Sequence, residues 1–328
     1  DAYIDHPSCG AAVIGRVLEA AGYRVGIIAQ PDWRNAEDLK KLGRPRLFFG
    51  ITSGSVDSMV ANYTSNKKRR SSDDLSPGGR SGLRPDRALM IYSTRAREAY
   101  PGVTIVLGGV EASLRRFAHY DYWDDSVRRS VLFDAKADMI IYGMGEDAVI
   151  ETAARLSAGE RPDSLNGIRG TAVVRKDISF LREYRETPSY EETKADGAKF
   201  NEAFRDIYAS QNPYTSKPLV QKHADRYLVQ FPPDFPLAEK DIDHIYELPY
   251  AYAWHPSYDG KGGVKGLETV RFSITSHRGC CAECSFFGIQ MHQGRIVQSR
   301  SAESILREAR RISERPDFKG TITNIGAA

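Results

Sequence analysis

The sequence predicts an α/β fold, in which a Rossmann-like parallel-sheet domain is followed by the start of an α/β barrel. In the first half, short apolar runs alternate with helical patterns, which is typical of alternating strands and helices. Those runs are almost continuously apolar, as expected for parallel strands that are buried on both faces. Towards the other end, a strand, a loop, a helix and a second strand follow one another, as in an α/β barrel.

The elements of the first domain can be predicted in order along the chain. Its first helix carries Ala12, Val17 and Leu18 near helical spacing and ends at Gly22. The candidate strands are residues 24–29, 46–52, 103–107 and 139–142, and the candidate helices are residues 8–21, 35–42, 86–100 and 146–156. Residues 167–175 are predicted to close the domain as a strand or hairpin.

The carboxyl ends of these strands form the predicted ligand face, because ligands of open parallel sheets bind there. The ends carry residues 30–33, 53–55, 108–111 and 143–146. Their glycines allow tight turns between strand and helix. Glu111 and Glu146 either face the cleft or stabilise the positive end of a helix dipole.

Three parts are expected along the chain. Residues 1–175 form the Rossmann-like domain, and residues 176–265, where the alternation gives way to polar and proline-rich segments, form a bridging region. Residues 266–328 then begin the barrel, with strands at 269–275 and 321–325 and an amphipathic helix at 301–314. We expect the chain to be a fragment, because it opens in a loop-like segment and stops directly after a strand.

Composition limits the classes of partner. Forty-six basic and 43 acidic side chains give a net charge of +3, which does not favour nucleic acid or an anionic membrane as the main partner. The local exception is the basic run at residues 67–70, with Arg80, Arg84 and Arg87; a solvated loop is favoured there over a phosphate or RNA contact. No membrane-spanning run or signal peptide is present, so a cytoplasmic location is expected.

The cysteines are few and unevenly placed. Cys9 stands alone, whereas Cys280, Cys281 and Cys284 lie within five residues of one another. A tight cluster in a large chain is typical of metal binding or catalysis, not of a disulfide framework.

The segment that contains Cys280, Cys281 and Cys284, here called the cysteine loop, resembles a loop of radical S-adenosylmethionine (radical SAM) enzymes. Those enzymes carry Cys-x3-Cys-x2-Cys after the first barrel strand. Cys280 and Cys284 match the first two positions, and Phe287 stands at the third. An alternative register takes His277, Cys281 and Cys284 at the same spacing, and these residues could instead form a structural zinc site.

The flanks favour the first register. Arg278-Gly279-Cys280, Cys284-Ser-Phe and the runs at 292–295 and 298–301 closely resemble the YgiQ family of radical SAM proteins. That resemblance extends along the whole chain, through residues 1–8, 26–33, 53–57, 76–79, 84–87, 108–116 and 254–258. It implies that the complete protein continues through further barrel strands.

The resemblance implies a radical SAM enzyme of unknown substrate, in which a reduced [4Fe–4S] cluster cleaves S-adenosylmethionine. A reductant such as flavodoxin or ferredoxin is implied as a partner. The implied cluster ligands are Cys280 and Cys284, since the ring of Phe287 cannot bind iron. The implied cofactor contacts are Phe286 near the adenine, and Gly320, Asn324 and Gly326 near the methionyl amino group.

Cobalamin is a further candidate cofactor, because the B12-binding domains of many radical SAM enzymes share this Rossmann-like layout. Ser53, Ser55, Gly108 and Gly109 occupy the places of the serine-rich and Gly-Gly loops of those domains. The motif Asp-x-His-x2-Gly of the histidine ligand is not met, so histidine-ligated cobalamin is not expected. The alternatives to an active enzyme are a degenerate copy, a non-catalytic ligand-binding module and the zinc site.

Overall fold

The structure is a computed structural model that describes residues 1–282, 284 and 287–327. The strands, in chain order, are β1 Ile4–Asp5, β2 Phe49–Ile51, β3 Ile105–Leu107, β4 His119–Asp121, β5 Ser126–Arg128, β6 Met139–Ile141, β7 Thr171–Arg175, β8 Arg185–Thr187, β9 Leu219–His223, β10 Arg226–Gln230, β11 Ala253–Trp254, β12 Ser273–Arg278, β13 Gln298–Ser299 and β14 Asn324–Ala327.

Helices connect and cover these strands. They are α1 Gly10–Ala20, α2 Glu37–Lys40, α3 Ser58–Asn62, α4 Ala88–Ala99, α5 Gly109–Leu114, α6 Val131–Asp134, α7 Glu146–Ser157, α8 Tyr190–Ala195, α9 Gly197–Ala209, α10 Glu239–Glu247, α11 Gly266–Val270, α12 Ile289–Gln293 and α13 Ala302–Ser313. Short 3-10 helices span Pro77–Gly79 and Pro256–Lys261. No helix among the described residues is long and apolar enough to cross a membrane.

The main sheet confirms the predicted α/β fold. Within the described residues its strand order is β2-β3-β6-β7-β10-β9-β8. The first three strands are parallel, whereas β7 and β10 are antiparallel to their neighbours, so the sheet is mixed. The predicted strands at 46–52, 103–107 and 139–142 are therefore present, and residues 167–175 contain β7.

The predicted strand at 24–29 is wrong. These residues belong to no strand. Val25 packs against the core that contains α1, Ile28 packs against the core that contains α4, and Ile27 is exposed. Apolar periodicity alone does not distinguish such a segment from a buried strand.

The sheet continues beyond residue 175. Strands β8, β9 and β10 come from the stretch that was predicted to be a bridging region, and β10 pairs directly with β7. The division of the chain into domains stays a prediction. The hydrogen bonds between β7 and β10 nevertheless join residues of the predicted first domain to residues of the predicted bridging region.

Two hydrophobic cores lie on opposite faces of the main sheet. Val106 of β3 packs in the core with α1 and α7, whereas its neighbours Ile105 and Leu107 pack in the core with α4 and α6. This alternation is the period of two that a strand imposes on its side chains. Both faces of the sheet at β3 are therefore covered by helices, as is typical of parallel strands.

A small second sheet contains the start of the predicted barrel. In it, β12 lies between β13, which is antiparallel, and β14, which is parallel. Its first strand begins at Ser273, later than predicted, because residues 266–270 form α11. Ile274 of β12 and Ile312 of α13 pack into the core that contains α1, which joins the small sheet to the main one.

Candidate functional site

A large cavity lies at the carboxyl ends of the parallel strands. Its volume is about 1560 Å³. The turns that follow β2, β3 and β6 line one side, and α1 with residues 22–31 lines another. Residues that flank the cysteine loop also line it, namely Arg278, Phe287, Gly288, Ile289, His292 and Gln293. The predicted ligand face and the flanks of the cysteine loop therefore line one cavity, whereas Cys280, Cys281 and Cys284 are not among its lining residues.

The two serines of the turn after β2 have different roles. Ser53 is buried, its hydroxyl donates to the carbonyl oxygen of Val56 at 2.9 Å, and its own carbonyl accepts from Arg84 Nη1 at 2.9 Å. Ser55 lines the cavity, and its backbone N–H donates to Asp1 Oδ2 at 2.6 Å. Ser53 thus supports the turn, and Ser55 is the serine that a ligand in the cavity would meet.

The turn after β3 depends on two glycines, both of which line the cavity. Gly108 N–H donates to the carbonyl oxygen of Ile51 at 2.9 Å, which ties the end of β3 to β2. Gly109 opens α5 with φ of 83°, and a Cβ atom there would collide with Thr52 Oγ1. The positive φ and this collision both exclude a side chain at position 109, so backbone atoms face the cavity there.

His292 docks the segment after the cysteine loop onto the turn after β6. Its Nδ1 lies 2.8 Å from Ser113 Oγ of α5, and that same oxygen accepts from Gly143 N–H at 3.4 Å. Burial, together with the nearby positive charge of Arg116, lowers the pKa of His292 to about 4. The imidazole is therefore neutral near pH 7, where it can both accept and donate a hydrogen bond.

Arg278, directly before the cysteine loop, forms a buried ion pair with Glu146 at the start of α7. The guanidinium also donates from Nε to the hydroxyl of Tyr246 at 2.8 Å. Although burial opposes its charge, the carboxylate of Glu146 raises the pKa of Arg278 overall. This pair fixes the end of β12 against the start of α7, and its two residues are 132 positions apart in the sequence.

The cysteine loop begins in a fixed backbone position. Gly279, with φ of 83°, donates from its N–H to Gln293 Oε1 at 3.2 Å, and Cys280 N–H donates to the carbonyl oxygen of Gly294 at 3.2 Å. Cys280 and Cys284 are half-buried, whereas Cys281 is exposed. Phe287 is 41% exposed and lines the cavity.

The other residues that the resemblance implied lie apart from the cavity lining. Asn324 and Gly326 are on β14, and Gly326 pairs with Thr275 of β12. Because the two strands are parallel, their carboxyl ends lie at the same edge as the cysteine loop. Gly320 lies in the loop before β14, with φ of 87° and open space around it. Phe286 lies outside the described residues.

The sequence profile of the family described as Radical SAM N-terminal matches residues 1–273. The chain belongs to the Radical SAM N-terminal family. The predicted radical SAM resemblance is thereby confirmed at the level of this family, while the narrower assignment to YgiQ proteins stays a prediction.

Curated relatives of this Radical SAM N-terminal chain are described as UPF0313 proteins. The protein of Clostridium botulinum (strain ATCC 19397 / Type A) is 52% identical over 326 residues, which are 99% of this chain and 50% of the relative. The protein of Methanocella arvoryzae is 54% identical over 326 residues, which are 99% of this chain and 54% of the relative. The chain spans about half the length of the curated relatives it matches.

A solved structure shares the fold. The radical S-adenosylmethionine methyltransferase TsrM from Kitasatospora setae, with tryptophan substrate and a SAM analogue bound, matches with a TM-score of 0.50 and 15% sequence identity. The match covers 95% of this chain and 43% of that chain. At this identity the likeness concerns the α/β architecture alone.

The donor atoms of this Radical SAM N-terminal chain do not fit a cluster held by three thiolates. Phe287 offers no donor, and among the described residues no three His, Cys, Asp or Glu side chains are grouped so that they could hold a metal ion. Burial raises the pKa of the Cys9 thiol to about 11, which disfavours the thiolate form that binds metals. The zinc set of His277, Cys281 and Cys284 is likewise not assembled.

Two contacts of this site were not predicted from the sequence. The pairing of Arg278 with Glu146 and that of His292 with Ser113 join residues far apart in the chain. Arg278 and His292 were noted only as parts of the resemblance, and Glu146 only as a residue that follows a strand. Their partners carry no local signal, because such contacts depend on how the two sheets pack.

Proposed function

We propose that the protein is built as a radical SAM enzyme that cleaves S-adenosylmethionine reductively, with an unidentified substrate and with a reductant such as flavodoxin or ferredoxin, and that Phe287 leaves its cluster one thiolate short. The observation that carries the proposal is the position of the cysteine loop. The loop directly follows β12, and its flanks line the same cavity as the strand ends of the region that matches the Radical SAM N-terminal family.

Cys280 and Cys284 supply two of the three thiolates that such a cluster requires, and position 287 supplies none. When bound, the cluster would supply the electron for cleavage of the sulfonium. The residues of this chain would position the loop: Gly279 and Cys280 through their backbone N–H groups, and Arg278 through Glu146. His292, which is neutral near pH 7, would keep the following segment on the first domain.

Anaerobic reconstitution followed by measurement of iron and sulfide per chain tests the proposed cluster ligands. We expect low occupancy in the chain as it stands and clearly higher occupancy in Phe287→Cys, because this change restores the third thiolate. Adding Cys281→Ser to Phe287→Cys serves as the matched control and should leave that higher occupancy unchanged. Uptake of zinc without sulfide, or no gain from Phe287→Cys, would count against the proposal.

The size of the cavity favours a second candidate function, cobalamin binding. Ser55, Gly108 and Gly109 line it, whereas His6, the histidine of the incomplete motif, does not. Equilibrium dialysis against hydroxocobalamin tests this candidate. Retention of hydroxocobalamin by the unmodified protein, and its loss in Gly109→Val, would support cobalamin binding. No retention by the unmodified protein would rule it out.

A further inference from the structure

A basic and aromatic surface lies outside the cavity, on two loops that contact each other. We call it the basic-aromatic surface and define it by Tyr63, Lys67, Lys68, Arg70, Tyr120 and Tyr122. The first loop follows α3, and the second runs from β4 towards β5. Neither loop has a part in the proposed function.

Side-chain contacts hold the two loops together. The hydroxyl of Tyr122 donates to the carbonyl oxygen of Ser65 at 2.7 Å, and Lys67 Nζ donates to the carbonyl oxygen of Trp123 at 3.4 Å. Lys67 Nζ also lies 4.7 Å from the centroid of the Tyr122 ring. The cations and the aromatic rings therefore belong to one fixed surface.

The positive charge of this surface is largely unneutralised. Lys67, Lys68 and Arg70 form no ion pair with a carboxylate among the described residues. Arg70 instead donates to the carbonyl oxygens of Val60 and Tyr63, at 3.2 and 3.1 Å. These hydrogen bonds fix the guanidinium without removing its charge.

Two nearby carboxylates already pair with other cations, whereas the exposed Asp125 forms no ion pair among the described residues and accepts a hydrogen bond from the hydroxyl of Tyr120. Asp86 pairs with Arg69 at 3.1 Å, and Asp124 pairs with Arg87 at 2.7 Å and with Arg128 at 2.8 Å. They therefore do little to offset the free cations, so an anionic ligand is attracted to this face.

Two aromatic rings on the surface remain open to solvent. Tyr120 is 49% exposed and Tyr122 is 45% exposed. Nucleic-acid bases stack on such rings whatever their sequence, while neighbouring cations follow the phosphates. An acidic peptide would use the cations but would have no need of the rings.

We propose that the basic-aromatic surface binds single-stranded nucleic acid, RNA or DNA. Phosphates contact Lys67, Lys68 and Arg70, and bases stack on Tyr120 and Tyr122. This inference does not depend on the cysteine loop, so it can be tested separately from the proposed radical chemistry.

Fluorescence anisotropy with labelled oligouridine and oligothymidine of about 12 nucleotides tests the inference and compares the two sugars. Titrations between about 50 and 200 mM salt give the number of phosphate contacts. Each phosphate contact on a single strand contributes about 0.7 to the slope of log K against log salt concentration. The double variant Lys67→Glu/Lys68→Glu should therefore lower the magnitude of that slope by about 1.4 or more. Tyr120→Ala should weaken binding roughly fivefold to a hundredfold.

The matched control is Lys222→Glu/Lys240→Glu, which makes the same charge change at exposed positions elsewhere and should retain binding. Urea unfolding of every variant shows whether the fold is intact. Equal losses in the two double variants would overturn the inference. The inference would also be overturned if polyglutamate or anionic vesicles competed as strongly as unlabelled oligonucleotides and if Tyr120→Ala did not change that competition.

Discussion

Arg278 and Glu146 form the buried contact that ties the cysteine loop to the first domain. Their side chains are only 8% and 5% exposed, and Glu146 Oε2 and Arg278 Nη2 each lack a hydrogen-bond partner among the described residues. A buried ion pair contributes little net stability, but losing one member strands the other charge in a poorly solvated site. The pair therefore acts mainly to fix one arrangement of the two sheets.

Arg278→Met should lower the free energy of unfolding by about 3–5 kcal/mol, because it leaves the Glu146 carboxylate buried without its cation. Urea unfolding followed by circular dichroism measures the change. The control is Arg161→Met, whose partner Asp163 and own side chain are 65% and 80% exposed, and which should change stability by less than about 0.5 kcal/mol. A loss below about 1 kcal/mol in Arg278→Met would contradict the assigned burial.

Sequence patterns at the scale of single elements predicted α1, α2, α4, α7 and α13 and the three parallel strands β2, β3 and β6, because these have clear local patterns. The strand predicted at 24–29 is wrong because Val25 and Ile28 pack against the two cores without pairing into a sheet. At the site, Ser55, Gly108 and Gly109 were predicted from their places after strands, and they line the cavity. The docking contacts of Arg278 and His292 could not be predicted, because they depend on packing between sheets.

Helix α13 joins the small sheet to the main core through one face. Ile312 is fully buried in the core that contains α1 and α7, whereas Leu306 on the same helix is 58% exposed. Its start is capped by Ser301, whose hydroxyl accepts from Ser304 N–H at 3.1 Å. The element thus carries a contact between the small sheet and the core of the main sheet.

Ile312→Ala should lower the free energy of unfolding by about 2–5 kcal/mol, because it removes buried methyl groups and leaves a cavity. Leu306→Ala, on the exposed face of the same helix, should change it by less than about 0.5 kcal/mol. Thermal or urea unfolding compares the two variants directly. Similar effects at both positions would show that α13 does not dock as described.

Buried histidines make the whole molecule sensitive to acid. Burial lowers the pKa of His6 to about 4 and that of His223 to about 3, against an ordinary value near 6.5. The unfolded chain therefore binds protons at a pH where the folded chain does not. As the pH falls from about 6.5 towards 4, the free energy of unfolding should fall.

Urea unfolding at several pH values measures this dependence. His223→Gln should flatten the slope between about pH 6.5 and 4, because the variant no longer takes up that proton on unfolding. His244→Gln, at an exposed position, should leave the slope unchanged. A slope in His223→Gln equal to that of the unmodified protein would contradict the burial of a neutral imidazole there.

The chain spans about half the length of the curated relatives it matches, so the proposed activity is best tested at their length. The most direct measurement is the formation of 5′-deoxyadenosine from S-adenosylmethionine under dithionite, in a protein extended to the relatives' length and carrying Phe287→Cys. We predict formation of 5′-deoxyadenosine that is lost when Cys284→Ser is added. Equal formation with and without Cys284, or none from Phe287→Cys after it has taken up iron and sulfide, would contradict the account.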